Sequence, residues 1–266
     1  MNRGAPTGPD RAAALFWAAF LRNRNVDAGT AGDGAIPVAG GYAIYVSGTR
    51  FDFALGAGST RALRDDDLTV IEEFYAARAH SARLELDEAV LARDGALLRG
   101  RGYAEEDCTL AILEVPVVAP PPPGPITVRT TTNRRAWTDL AARAFDEQPA
   151  DLAVTRRTLQ TAAAAAHVLV IASLDGDDAG AAALAISGET AFLCSAAVLP
   201  AFRRRGVHQA LVAARLAIAH ERGASGAALK TVANSPVERS AAKLGFARTG
   251  LRRRVRRDAL EAPRQE

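Results

Sequence analysis

The stretch from Val198 to Leu211 constrains this chain more than any other. An apolar run, Ala191 to Leu199, has the length and composition of a strand, and Pro200 ends it. Arg203, Arg204, Arg205 and Gly206 follow as a short loop. Gln209 to Glu221 then reads as a helix, with Leu211, Val212, Leu216 and Ala219 on one face. Strand, tight loop and helix in this order gather backbone N–H groups and a helix N-terminus at one point. That combination attracts anions, because the first amides of a helix lack internal acceptors and the helix dipole adds positive potential. Gly206 lets the backbone bend close to a phosphate, and arginine side chains add forked donors suited to phosphate oxygens.

A second constellation lies downstream. Gly226 to Ala233 reads as a strand. Asn234-Ser235-Pro236 opens a helix with a small polar cap, an early proline and Glu238 in the first turn. That helix runs to Leu244 and stops at Gly245-Phe246. Val198, Pro200, Arg203 and Gly206, followed by Asn234 and then Leu244-Gly245-Phe246, resemble the acetyl-CoA-binding core of the GCN5-related N-acetyltransferases (GNAT), over about Ala191 to Phe246. His208 departs from the pattern, standing where Gly or Ala is usual. The resemblance implies acetyl-CoA as cofactor. It places the pyrophosphate on the amides of Arg203, Arg204, Arg205, Gly206, Val207 and His208, and lays the thioester along the strand edge at Ala197, Val198 and Leu199. It also implies that Asn234 contacts pantetheine or orders the split between neighbouring strands.

The chain has 266 residues, enough for one large domain or two ordinary ones. Pro116 to Pro125, with four consecutive prolines, reads as a stiff spacer, so the expected division is 1–116, a linker at 117–125, and 126–266. The two halves echo each other. Gly58 and Gly102 bracket helix, strand and helix over 44 residues, and Gly206 and Gly245 do so over 39. The expected fold is therefore α/β: two GNAT-like domains in tandem, each a mixed, mostly antiparallel sheet flanked by helices, with a degenerate first copy that lacks the arginine loop. An intact second site using Gly56 and Gly58 is the alternative. Within the first half, helices are expected at 11–22, Leu68–Ala79 and Glu88–Arg99, and a hairpin joins Tyr42–Val46 to Phe51–Leu55 through Ser47-Gly48-Thr49, after a loop at 23–40.

The net charge of +3 is too small for a general nucleic-acid binder. Arg252 to Arg257 reads either as a nucleic-acid contact or as a charged edge strand. Cys108 and Cys194 lie far apart, which argues against a disulfide framework or a zinc site and for a reducing, cytoplasmic setting. No run of about 18 apolar residues occurs, so no membrane span is expected.

Direct acetyl transfer needs a base for the amine and a means of releasing the thiolate. Many relatives supply an acidic tyrosine after the Asn or just past the Gly-Phe; this chain has no tyrosine in its second half, and Ser240 and Thr249 are the nearest hydroxyls. Glu189, before the central strand, and Asp146-Glu147, in the first-helix turn, are candidate bases or plain surface carboxylates. Glu189, Asn234 and Ser240 are accordingly the candidate catalytic residues. Cys194 reads as core. These features point to an acetyl-CoA-dependent N-acetyltransferase for a small-molecule amine, with homodimerisation open. A malonyl-thioester decarboxylase or other acyltransferase on the same fold, or a coenzyme-A-binding protein without catalysis, are the alternatives.

Overall fold

The computed structural model describes residues 32–118, 126–145 and 151–258. The helix expected at 11–22 and most of the proline-rich segment lie outside these residues. The chain separates into two compact units. The first comprises residues up to Ser47, Phe51–Leu110 and the chain from Gly250 onward; the second comprises Gly48–Arg50 and Ala111–Thr249. The division falls within two long strands, Ala104–Pro116 and Ala247–Arg257, and not at 117–125.

In the first unit the elements are β1 (Gly34–Val38), β2 (Gly41–Tyr45), β3 (Ala54–Leu55), α1 (Asp65–Ala76), β4 (Ala82–Asp87), α2 (Glu88–Gly100) and the start of β5 (Ala104–Pro116), with the end of β11 (Ala247–Arg257). The sheet order is β1-β2-β3-β4-β11, antiparallel except for β3 beside β4. Residues 34–38 were expected as loop and instead form β1. Its partner β2 follows after Ala39-Gly40, both at positive φ (48° and 86°), which matches the twist of a two-residue hairpin. The expected hairpin through 47–49 is also present: β2 pairs antiparallel with β3, and the Val46 amide donates to the Phe51 carbonyl at 2.8 Å across the turn.

Helix α1 begins earlier than its apolar periodicity starts, because Asp67 turns back to accept the Arg64 amide at 2.9 Å and fixes the first turn. Its inner face, Leu68, Ile71, Phe74 and Tyr75, is buried. The Tyr75 hydroxyl pins the helix to β2 by donating to the Ile44 carbonyl at 2.9 Å. The basic run on β11 is matched by acids: Arg252 with Asp87 at 2.6 Å, Arg253 with Glu105 at 2.9 Å, Arg254 with the buried Glu85 at 3.2 Å, and Arg257 with Glu72. The run is a strand, but not the edge strand expected: β11 lies between β4 and β5 in the sheet order.

The second unit contains β6 (Thr127–Thr131), α3 (Arg134–Phe145), α4 (Leu152–Ala165), β7 (Val168–Leu174), β8 (Asp177–Ser187), β9 (Thr190–Val198), α5 (Val207–Glu221), β10 (Gly226–Val232) and α6 (Pro236–Ala242). The order is β10-β9-β8-β7-β6, antiparallel except for β10 beside β9. Alternate residues of these strands face opposite helical layers. Leu169, Ile171, Ala181 and Ala183 pack under α3 and α4, around Trp137, Leu140 and Leu159. The intervening face belongs to α5. A Cβ on Gly180 would stand 3.3 Å from both Leu211 and Val207 and 2.8 Å from the Ala197 carbonyl, so glycine is what lets β8, β9 and α5 approach. The small side chains of β8, mostly alanine, keep both helical layers close to the sheet.

Candidate acyl-coenzyme site

Three features of the second unit converge at the C-terminal end of β9. The first is the loop. Pro200–Phe202 makes a single 3-10 turn, Arg204 and Gly206 take positive φ (62° and 84°), and Gly206 caps α5 from the left-handed region. Beyond weak contacts within the turn itself, the amides from Arg204 to Gln209 make no hydrogen bond of good geometry among the described residues. The second feature is a bulge in β9. Ala181 pairs with Ala197 and Ala183 with Cys194, so Ala182 faces two residues, Ser195 and Ala196, and Ser195 sits at φ 50°. The third is a split in the sheet. β10 pairs with β9 only at Gly226–Ala228, opposite Thr190–Phe192. Beyond Phe192 that edge of β9 has no strand partner.

Between these features lies a cleft of about 660 Å³, bordered by Ala196, Ala197, Val198, Gly206, His208 and Ser240 among others. Its size falls in the range of about 300–1,000 Å³ usual for small-molecule sites. It also reaches Ala144 and Phe145 at the end of α3.

Polar groups freed by the bulge are taken up from both helical layers. Trp137, fully buried on α3, donates its indole N–H to the carbonyls of Ala182 at 3.0 Å and Val170 at 3.2 Å. From α5, the Arg215 guanidinium donates to the carbonyls of Ala183 at 3.1 Å, Cys194 at 3.3 Å and Leu211 at 3.0 Å. Arg215 is 1% exposed. No carboxylate among the described residues pairs with it, and burial drives its pKa down to about 10. Burial lowers the His208 pKa to about 4, assisted by the charge of Arg215. The Cys194 thiol is pushed up to about 11 by burial, which Arg215 partly opposes. Cys194 packs against the α3 and α4 core, as expected from sequence.

The residues singled out in the sequence fare differently. Ala197, Val198, Arg203, Arg204, Gly206, Val207, His208 and Ser240 all border the cleft. Two of the three loop arginines, however, direct their guanidinium groups elsewhere. Arg203 donates to the carbonyls of Val198 and Ala144, both at 3.1 Å, and so ties the loop to α3. Arg205 pairs with Asp175 at 2.6 Å and lies over the Phe202 ring. Leu199 is turned into the core, its amide donating to the Ala179 carbonyl at 2.9 Å.

Asn234, at φ 61°, has its amide on Glu238 at 2.5 Å and its side-chain oxygen on Arg248 at 3.0 Å, and it does not border the cleft. Glu189 is not brought to the cleft either. It sits in the turn before β9, bonded to Ser225 at 3.2 Å, about 25 Å along the strand from Val198. Ser240 faces His208, with Oγ 3.4 Å from Nδ1. Asp146 and Glu147 lie outside the described residues. Arg215 was passed over in the sequence, although it carries a signal: it interrupts the apolar stripe of α5 four residues after Leu211 and four before Ala219.

A mixed sheet that splits beside a bulged strand, with a tight turn leading into a helix, defines the α/β class of the second unit. Residues 134–246 match the model of the "Acetyltransferase (GNAT) family". Several solved structures share the fold. A GCN5-related N-acetyltransferase from Kribbella flavida aligns at TM-score 0.65 and 17% identity, over 94% of this chain and 96% of its own. A tandem GNAT protein from the clavulanic acid biosynthesis pathway aligns at TM-score 0.61 and 12% identity, over 96% and 97%. A GCN5-related N-acetyltransferase from Sphaerobacter thermophilus gives TM-score 0.52 and 18% identity, over 67% of this chain and 59% of its own. No curated protein matches the sequence. The chain thus has a tandem GNAT fold. Among the described residues, no group of three or more His, Cys, Asp or Glu is placed to hold a metal, and no helix is long and apolar enough to cross a membrane.

Proposed function

We propose that the second unit is an acetyl-CoA-dependent N-acetyltransferase for a primary amine on a small molecule. The observation that carries this reading is the run of unpaired amides from Arg204 to Gln209 at the mouth of the cleft. A diphosphate supplies acceptors to these amides where the helix dipole favours negative charge. The free edge of β9 at Ala196–Val198 then offers amide hydrogens along the cleft wall. An amide fixed there polarises a thioester carbonyl as negative charge develops on its oxygen, with no reorganisation needed at the moment of reaction. No carboxylate of the described residues borders the cleft.

The first unit serves in this reading as a structural copy. Its corresponding loop is filled by the protein's own groups. The Gly58 amide donates to the Ala39 carbonyl at 3.0 Å, and the Leu63 amide to Asp94 at 3.0 Å. A Cβ on Gly58 would meet Val90 at 2.7 Å, so the space is closed. Helix α1 opens with Asp65, Asp66 and Asp67, whose charges repel a phosphate. These contacts speak against a second coenzyme site at Gly56 and Gly58.

Calorimetric titration with acetyl-CoA, followed by thiol release in the presence of a panel of primary amines, tests the proposal. Binding with amine-dependent thiol release is the expected result; no binding defeats it. A second reading is a coenzyme-A-binding protein without catalysis, for which tight binding and no thiol release across the panel is the signature.

A further inference from the structure

Arg215 poses a problem that the reaction itself answers. A guanidinium that is 1% exposed, with only carbonyl oxygens as partners, is a cation without a counter-charge. Such burial is costly unless something offsets it. Carbonyl dipoles hold the guanidinium in place but leave its net charge unneutralised. Its position is specific. The carbonyls it holds, Ala183 and Cys194, flank the bulge, and the residues just beyond that bulge, Ala196 to Val198, form the cleft wall. The same sequence lacks the tyrosine that would protonate a departing sulfur, and Ser240, the hydroxyl in the cleft, is a poor acid.

We propose that Arg215 is an electrostatic positioning residue: it braces the β9 bulge and supplies the positive charge against which coenzyme A leaves as a thiolate. This inference rests on the reading of the cleft as an acetyl-CoA site. In the step it serves, the lone pair of the neutral amine forms a C–N bond to the carbonyl carbon. The C–S bond breaks with its electron pair kept on sulfur, and the nitrogen's extra proton passes to water. No general acid is required, because the thiolate is stabilised by charge. The effect of Arg215 on its neighbours agrees, since it favours deprotonation of both His208 and the Cys194 thiol.

The test needs no knowledge of the acceptor. Coenzyme A is bound to the protein, with binding verified by calorimetry, and its thiol is titrated by thiolate ultraviolet absorbance against the coenzyme-free protein. In the wild type the bound thiol is expected to titrate about one pH unit or more below that of free coenzyme A. Arg215→Gln should return it to the free value, and Arg215→Lys should keep part of the displacement. A bound thiol that titrates with free coenzyme A in the wild type overturns the inference, as does an Arg215→Gln protein that matches the wild type. Should Arg215→Gln fail to fold, the wild-type titration decides alone. Absence of coenzyme binding defeats the underlying functional reading and this inference with it. Binding with an undisplaced thiol defeats only the role of Arg215.

Discussion

At the scale of single residues, the site depends on backbone conformation more than on side-chain charge. Gly206 holds φ at 84°, and its replacement by a β-branched residue forces a conformation costing about 1–2 kcal/mol for an L-residue. Gly206→Val should therefore weaken acetyl-CoA binding by about tenfold or more in calorimetry. Arg205→Ala should leave it nearly unchanged, because that guanidinium pairs with Asp175. His208 makes a second prediction. Its pKa is about 4 in the folded protein, against about 6.5 in an unfolded chain. Between these values the unfolded chain binds a proton that the folded one does not, so this contribution is complete above pH 6.5 and declines as pH falls toward 4. Urea unfolding at pH 7 and pH 5 should show the wild type losing up to about 2 kcal/mol more than His208→Gln. Equal losses would mean that the imidazole is solvated.

Among the elements, α6 shows how capping chemistry fixes a cleft wall. The Ser235 hydroxyl accepts the Glu238 amide at 3.2 Å, and the Glu238 carboxylate reaches back to the Asn234 amide. Ser235→Ala should cost about 1 kcal/mol in chemical unfolding and loosen acetyl-CoA binding a few-fold, since α6 carries Ser240. This element was legible in the sequence because its cap, proline and Gly-Phe ending are local signals. So were Thr190–Val198, read as Ala191–Leu199, and Glu88–Gly100, read as Glu88–Arg99. β1 was not, because Gly34–Val38 contains a proline and sits among glycines, and only pairing with β2 makes it a strand. The bulge at Ser195 was also hidden. No glycine or proline marks it, and it exists because β8 and β9 differ by one residue over that span. Asn234 was proposed from the family resemblance and Glu189 from its place before the central strand; neither borders the cleft. The hydrogen bonds that engage their side chains come from Arg248 and Ser225, 14 and 36 residues away.

For the whole molecule, composition and the proline run point to a simple cut, whereas contacts distribute the chain differently. Arg252 to Arg257 pair with Ala82 to Asp87 and supply five arginines to the first unit. A fragment of residues 1–116 lacks that strand, leaving β4 with an open edge and Glu85 buried without Arg254. We expect this fragment to show no cooperative thermal transition by circular dichroism. A sharp melt would show that the first unit stands without the C-terminal strand.

The one extra residue in β9 has a last consequence, for mutation by insertion and deletion. Removing Ser195 would let β8 and β9 zip in perfect alternation and release Trp137 and Arg215 from the oxygens they now serve. The pairs on either side, Ala183 with Cys194 and Ala181 with Ala197, would keep their register, so only the kink between them would be lost. Such a protein would exchange the kinked edge at Ala196–Val198 for a straight ladder, and on the proposed reading its affinity for acetyl-CoA should fall.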